Sequence, residues 1–125
     1  IKNNILKELR VGNLNVKRDF GYAPKYVEVM WKMMQLDKPT DIIICSGKSF
    51  LLRDIVDYIF DKMNLNKNLI VIDDSLFRPN EIKNIYGDNS KAKNILDWNY
   101  NTSFYDILDI LIEEELVNNI INKKV

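Results

Sequence analysis

Histidine is absent from all 125 residues, and cysteine occurs once, at Cys45. Without histidine there is no side chain that exchanges protons near neutral pH by default, no Ser-His-Asp set and no His-containing zinc site, so neither a catalytic set nor a metal site is expected. A lone cysteine leaves no internal disulfide, and a reducing, cytoplasmic setting is the default. Glycine (four) and proline (three) are scarce, which excludes a fibrous repeat or a low-complexity chain. No Gly-x-Gly-x-x-Gly or Gly-x-x-Gly-x-x-Gly run follows a strand, and no Gly-x-x-x-x-Gly-Lys-Ser/Thr loop occurs, so the chain carries no dinucleotide or phosphate cradle of its own. No apolar run approaches the roughly 20 residues that span a bilayer, and the N-terminus lacks the charged-then-apolar order of a signal peptide, so no membrane role is expected. Eighteen basic residues balance eighteen acidic ones, so no overall field draws the chain to nucleic acid. An anion site must be local.

What is present suits one globular domain over residues 1–125: 46% hydrophobic and 29% charged residues in alternating helical and strand-like patterns. Ile1, Ile5 and Leu9 share a helical face, as though the chain began part-way along a helix, and the whole is expected to be a piece of a larger protein. Gly12 to Gly21 has turn formers at both ends and partial alternation, the pattern of a loop with a short strand. Pro24 suits a first helical turn, and Val27, Met30, Trp31 and Met34 predict an amphipathic helix to about Gln35. Asp41 to Cys45 is a β-branched run of the kind found in strands covered on both faces. Ser49 is placed to cap a helix whose stripe is Leu52, Ile55, Val56, Ile59 and Met63. A second buried-type strand is expected at Leu69 to Ile72, then an irregular stretch from Asp73 to Asp88. Asp88 or Ser90 is placed to cap a short helix with Ala92, Ile95 and Leu96. A final helix starts near Ser103, with Phe104, Ile107, Leu108, Leu111 and Ile112 inward and a tail fraying from Asn118. The fold class expected is a small mixed α/β layer rather than a complete doubly wound sheet.

Two irregular stretches hold the candidate binding residues. Lys17 and Arg18 in the first and Arg78 in the second offer a point charge and planar forks for phosphate oxygens, although a solvated surface charge is the commoner state of any one of them. Glu81 is suited to accept hydrogen bonds from a ribose diol, and equally to a cap or surface role. Asn13 carries an amide that can meet a base edge, yet after a glycine it is first a turn residue. Cys45, inside an apolar run, is expected to be an inert core thiol. Glu113, Glu114 and Glu115 form a solvated helix face, and the aromatic residues, Trp31 among them, sit at core spacing.

The motifs carry further. Gly12-Asn13-Leu14-Asn15-Val16-Lys17-Arg18-Asp19-Phe20-Gly21-Tyr22-Ala23 with Met30-Trp31, then Ser46-Gly47, Arg53-Asp54-Ile55-Val56, Phe77-Arg78-Pro79-Asn80-Glu81 and Gly87-Asp88-Asn89-Ser90-Lys91-Ala92-Lys93 with Leu96 and Trp98, occur in one order. That series resembles the C-terminal, substrate-binding part of extended short-chain dehydrogenases, the epimerase/dehydratase family, and most closely the GDP-mannose 4,6-dehydratases. The resemblance implies that a separate Rossmann domain, absent here, binds NADP and carries a Tyr-x-x-x-Lys pair. This part would then grip a nucleotide sugar such as GDP-mannose: Arg18 and Arg78 on the diphosphate, Glu81 on the ribose, Asn13 and Lys17 near the guanine and its phosphates. It implies no catalytic or cofactor-binding residue in this chain, and a homo-oligomer for the whole enzyme. A related epimerase, a 4-keto-sugar reductase and a free-standing non-catalytic nucleotide-binding module stay open beside it. The family usually has His where this chain has Tyr22, and Asp where it has Lys25, which removes a helix cap.

Overall fold

The structure is a computed structural model that describes residues 6–122, with side chains described as far as residue 118. In chain order the regular elements are β1 (Leu9–Val11), β2 (Lys17–Asp19), α1 (Ala23–Met33), β3 (Ser49–Leu51), α2 (Leu52–Lys62), β4 (Ile70–Ile72), β5 (Asn84–Ile85), α3 (Ser90–Leu96) and α4 (Phe104–Asn122). Short 3-10 turns occupy Lys67–Leu69 and Asp74–Leu76. This is the small mixed α/β arrangement that the residue pattern predicts. The chain forms two compact units, each from two separate stretches: residues up to 19 with 48–86, and residues 20–47 with those from 87 onward.

In the first unit β1 runs parallel to β4, with Leu9 opposite Ile70 and Val11 opposite Ile72. Leu9 therefore lies on a strand and not on an opening helix; the other residues of that expected helix face, Ile1 and Ile5, lie outside the described residues. The β4 pattern of Ile70-Val71-Ile72 supplies the ladder that turns 9–11 into an extended segment. A three-stranded sheet has the order β3-β2-β5: β2 pairs antiparallel with β3, Arg18 opposite Phe50, and parallel with β5, Arg18 opposite Ile85. Leu14, Val16 and Phe60 are buried in this unit.

Helix α2 begins without the serine cap that its sequence suggests. Ser49 is extended in the ladder with Asp19, and the cap position falls to Leu51, which makes no side-chain cap bond. The N–H groups of Leu52 and Arg53, which a cap would otherwise satisfy, donate to the carbonyls of Val16 (3.0 Å) and Leu14 (3.1 Å). The loop before β2 thus does the work of a cap and is itself pinned by it.

The second unit is built on Val29, Ala92, Leu96 and Trp98, all buried. Tyr26, Trp98 and Tyr100 pack edge-on with ring centroids 5.8 to 6.2 Å apart. The Tyr100 hydroxyl also accepts the N–H of Tyr22 (2.8 Å), the residue at the uncapped start of α1. Helix α1 spans the region that its periodicity marks, but a different stripe faces inward. Tyr26, Val29 and Met33 meet the core, while Val27, Trp31 and Met34 stay 62%, 64% and 79% exposed. The helix carries two apolar stripes, and the aromatic group around Trp98 selects the one containing Tyr26. Trp31 is accordingly a surface residue.

Asp41 to Cys45 also departs from expectation. It pairs in no ladder among the described residues, although Ile42 and Ile44 turn to the core and Ile43 is exposed, the alternation of a strand. A strand needs a neighbour, and the described residues place none beside it. Cys45 is buried and in no disulfide, and a side chain on Gly87 would collide with it, the ideal Cβ lying 2.5 Å from the Cys45 Sγ.

Helix α3 starts after Asn89, with the Asp88 carboxylate accepting the Ser90 N–H (2.9 Å). Ala92 and Leu96 are buried and Ile95 is exposed. On α4, Phe104, Ile107 and Leu108 are buried as their spacing predicts, with Phe104 stacked on Phe20 at 5.3 Å. Leu111 is exposed, and the helix continues to Asn122 instead of fraying from Asn118. Trp98→Ala should lower unfolding free energy by about 3–5 kcal/mol, the range for removing a buried aromatic ring, while Trp31→Ala should stay within about 0.5 kcal/mol, as exposed substitutions do. Urea titration of the two variants checks the contrast.

Candidate functional site

A groove of about 500 Å³ lies within the first unit, walled by Leu14, Val16, Leu52, Ile55 and Val56 and bordered by Arg10, Asn13, Arg18, Arg78 and Glu81. Three of those apolar residues belong to the α2 stripe that its spacing assigns to the core. They are half-buried because the groove, rather than more protein, lies against them. The groove combines an apolar wall with a few convergent polar groups, the composition of a small-molecule site.

Each polar group reaches the groove for a local reason. Asn13 forms a turn in which its side-chain carbonyl accepts the Asn15 N–H (2.9 Å). Gly12 beside it allows close packing, since a Cβ there would lie 2.9 Å from the Leu76 carbonyl oxygen, so that segment 76–78 runs against the 12–13 loop. After Arg78 the chain reverses over Pro79 and Asn80, the latter at φ +60°, a conformation that asparagine tolerates better than most residues. The reversal brings Arg78 and Glu81 to one groove, three residues apart. Arg18 arrives from β2, where its NH1 donates to the carbonyls of Lys17 and Ile82, both at 2.8 Å, and its NH2 to the Glu81 carboxylate.

Of the five residues singled out from sequence, four border the groove. Lys17 does not. It precedes Arg18 on β2, and successive side chains of a strand point to opposite faces. Arg10 was missed because residues 1–9 carry a helical spacing; it sits on β1, bonded to Glu8 (2.7 Å) and 3.5 Å from Asp73. Asp73 is held below the usual carboxylate range by the Ser75 hydroxyl (2.5 Å) and N–H (3.0 Å), with Arg10 adding to the shift. Asp88 is lowered likewise by Ser90.

Among the described residues, the β3–α2 junction does not fit a dinucleotide. It is closed by Leu51 and Leu52 without a glycine, and the N–H groups that would cradle a pyrophosphate are bonded to Val16 and Leu14. Among the described residues, no three His, Cys, Asp or Glu side chains are grouped to hold a metal ion, and no helix is long and apolar enough to cross a membrane.

The fold is shared with part of several solved enzymes. RMD from Pseudomonas aeruginosa complexed with NADPH aligns with a TM-score of 0.71 at 19% identity, over 82% of this chain and 34% of that one. The dTDP-glucose 4,6-dehydratase from Bacillus anthracis in complex with NAD aligns with a TM-score of 0.67 at 15% identity, over 78% and 31%. These alignments show a shared fold over about a third of each of those chains. Residues 1–111 match the family model described as GDP-mannose 4,6 dehydratase, and GDP-mannose 4,6 dehydratase 2 of Arabidopsis thaliana is 37% identical over 117 residues, 93% of this chain and 31% of that protein. The chain belongs to the GDP-mannose 4,6-dehydratase family. It spans about a third of the length of the curated relatives it matches.

At the groove's edge, Ser75→Ala should raise the Asp73 pKa toward the ordinary carboxylate value of about 3.9. A carboxylate whose folded pKa is depressed stabilises the protein above its unfolded pKa, and that stability is lost as pH falls below about 4. The variant should therefore lose less stability than the parent between neutral pH and that acid range. NMR titration of the Asp73 carboxyl carbon, with melting temperature against pH, checks both.

Proposed function

We propose that this chain is the nucleotide-sugar-binding portion of an NADP-dependent GDP-mannose 4,6-dehydratase that forms GDP-4-keto-6-deoxymannose. The observation carrying the proposal is the convergence of Asn13, Arg18, Arg78 and Glu81 on one apolar-walled groove in a chain of that family. In this assignment the arginines meet the diphosphate and Glu81 the ribose diol. Asn13 meets the guanine edge through its amide nitrogen, and Lys17 adds charge from the neighbouring strand position. The reaction of the whole enzyme would be oxidation of the sugar at C4, loss of water across C5 and C6 and return of hydride to C6, with NADP as hydride carrier. The chain's own part is to bind and orient the sugar nucleotide.

A cofactor-binding domain is also part of the proposal. Two features of the second unit support it: the ladder-less Asp41–Cys45 segment, and the exposed Val27, Met30, Trp31 and Met34 on α1. Both are patterns of packed protein that keep apolar surface, Ile43 in the first and the α1 stripe in the second, uncovered by the described residues. The whole enzyme is proposed to be a cytoplasmic homo-oligomer.

Calorimetric titration with GDP-mannose, GDP and UDP-glucose tests the substrate. GDP-mannose and GDP should bind in preference to UDP-glucose, and Arg78→Ala should weaken GDP about tenfold or more, the scale of a lost charge-assisted hydrogen bond. Tighter UDP-glucose binding would move the assignment to an epimerase. For the domain, the amides of Ile42, Ile43 and Ile44 should exchange rapidly in this chain alone and become protected when a Rossmann domain of a family relative is supplied. Unchanged exchange would remove that part of the proposal.

A further inference from the structure

We infer that residues 87–91 form a clasp that holds residues 41–46 as a finished strand edge before any neighbour lies beside them. The cofactor-binding domain proposed above then docks by adding a strand to a preformed edge. In its choice of partner the inference rests on that proposal, this chain spanning about a third of its curated relatives. The clasp itself is read from the second unit alone.

A strand with no neighbour does not hold its shape in water, because nothing offsets the entropy of fixing its backbone. Yet no turn or bend interrupts residues 39–46, and Ile42 and Ile44 pack on the core while Ile43 is exposed. Among the described residues, the N–H and C=O groups of Ile42, Ile43 and Ile44 enter no hydrogen bond. The backbone that a neighbouring strand would bond is therefore open, and side chains secure its two ends. At one end the Lys91 ammonium donates to the Asp41 carbonyl (2.6 Å). At the other the Asn89 amide nitrogen lies 3.4 Å from the carbonyls of both Cys45 and Ser46. Between them Gly87 lies so close that a Cβ there would stand 2.5 Å from the Cys45 Sγ and 3.3 Å from the Ile43 Cγ2.

The core gives the same segment its second support. Ala92, the residue after Lys91, is buried in the cluster on which Ile42 and Ile44 pack. The start of α3 thus grips residues 41–46 through main-chain carbonyls and apolar side chains together, and it leaves the three central residues free to pair. That is the state required of an edge that accepts an added strand. Ordering it beforehand removes an entropy cost from the docking step.

The first test uses the 125-residue chain alone. Cα and Cβ chemical shifts of Ile42, Ile43 and Ile44 should report extended backbone in the parent, although their amides exchange fast, and should move to coil values in the double variant Lys91→Met with Asn89→Ala. Coil values in the parent, or extended values kept by the double variant, overturn the clasp. The second test follows docking to the Rossmann domain of a family relative in real time. Apparent affinity falls with the fraction of chains ready to bind, so the double variant should associate about tenfold more slowly and dissociate at the parental rate. Lys91→Arg keeps a charged donor of similar reach and should associate like the parent. If the double variant does not fold, Gly87→Ala carries the test, since its methyl group displaces Cys45 and should slow association in the same way. Parental association rates in these variants, or a change confined to dissociation, overturn the inference and leave the docking proposal standing. A parent chain that does not dock overturns the choice of partner, and the clasp then stands or falls on the shifts.

Discussion

Strand β2 is bonded along both edges, antiparallel to β3 and parallel to β5, and the first unit is organised by the three residues that make those bonds. A strand engaged on both sides cannot rotate, so consecutive side chains are committed to opposite faces. This separates Lys17 from Arg18 and aims the latter at the segment that β5 brings alongside. Since Lys17 N–H also donates to Lys83 O at 2.8 Å, the backbone just after Glu81 is bonded to β2 whether or not Arg18 is present. The side-chain contacts refine a position that the main chain has set. The loop before β2 is fixed in turn, because its carbonyls receive the first N–H groups of α2. Both borders of the groove are therefore anchored to one short strand.

The sequence was most legible where one local pattern decides the outcome. The short strand within 12–21, the helices after Pro24, near Ser90 and near Ser103, and the strand at 70–72 follow from turn residues, spacing and β-branching. The binding residues were read from the side-chain chemistry of two loops and coincide with those the family resemblance implies, and four of the five border one groove. What was not legible depended on partners distant in the chain. Leu9 is extended because Ile70 pairs with it, and Ser49 is extended because Asp19 does. Neither partner can be found from a window of neighbouring residues. The groove wall shows the same ambiguity from the other side: Leu52, Ile55 and Val56 have the spacing of core residues whether protein or a ligand cavity lies against them.

The departures in the second unit are of another kind. The patterns at 27–34 and 41–45 are regular, and their local secondary structure or alternation is present, yet the described residues bury only part of the apolar surface they carry. Tyr26, Val29 and Met33 win the inward face of α1 because three aromatic rings and Ala92 form a dense neighbour there, and a helix can turn only one face to one neighbour. The second stripe and the lone extended segment then share a common cause: both carry more apolar surface than the described chain has protein to cover. That surplus is consistent with the larger enzyme proposed above.

The interleaving of the two units has a consequence for how the polypeptide is made. The chain passes between them at residues 19/20, 47/48 and 86/87. On the ribosome, the first unit cannot close until the segment carrying β5 has emerged, by which time the opening stretch of the second unit has long been waiting for its own other half. Neither unit can be completed early and set aside while the other is synthesised, which is the usual order for domains that follow one another. The same threading means that no single cut yields either unit whole, so gene fusion or exon exchange can inherit this piece only as an undivided block.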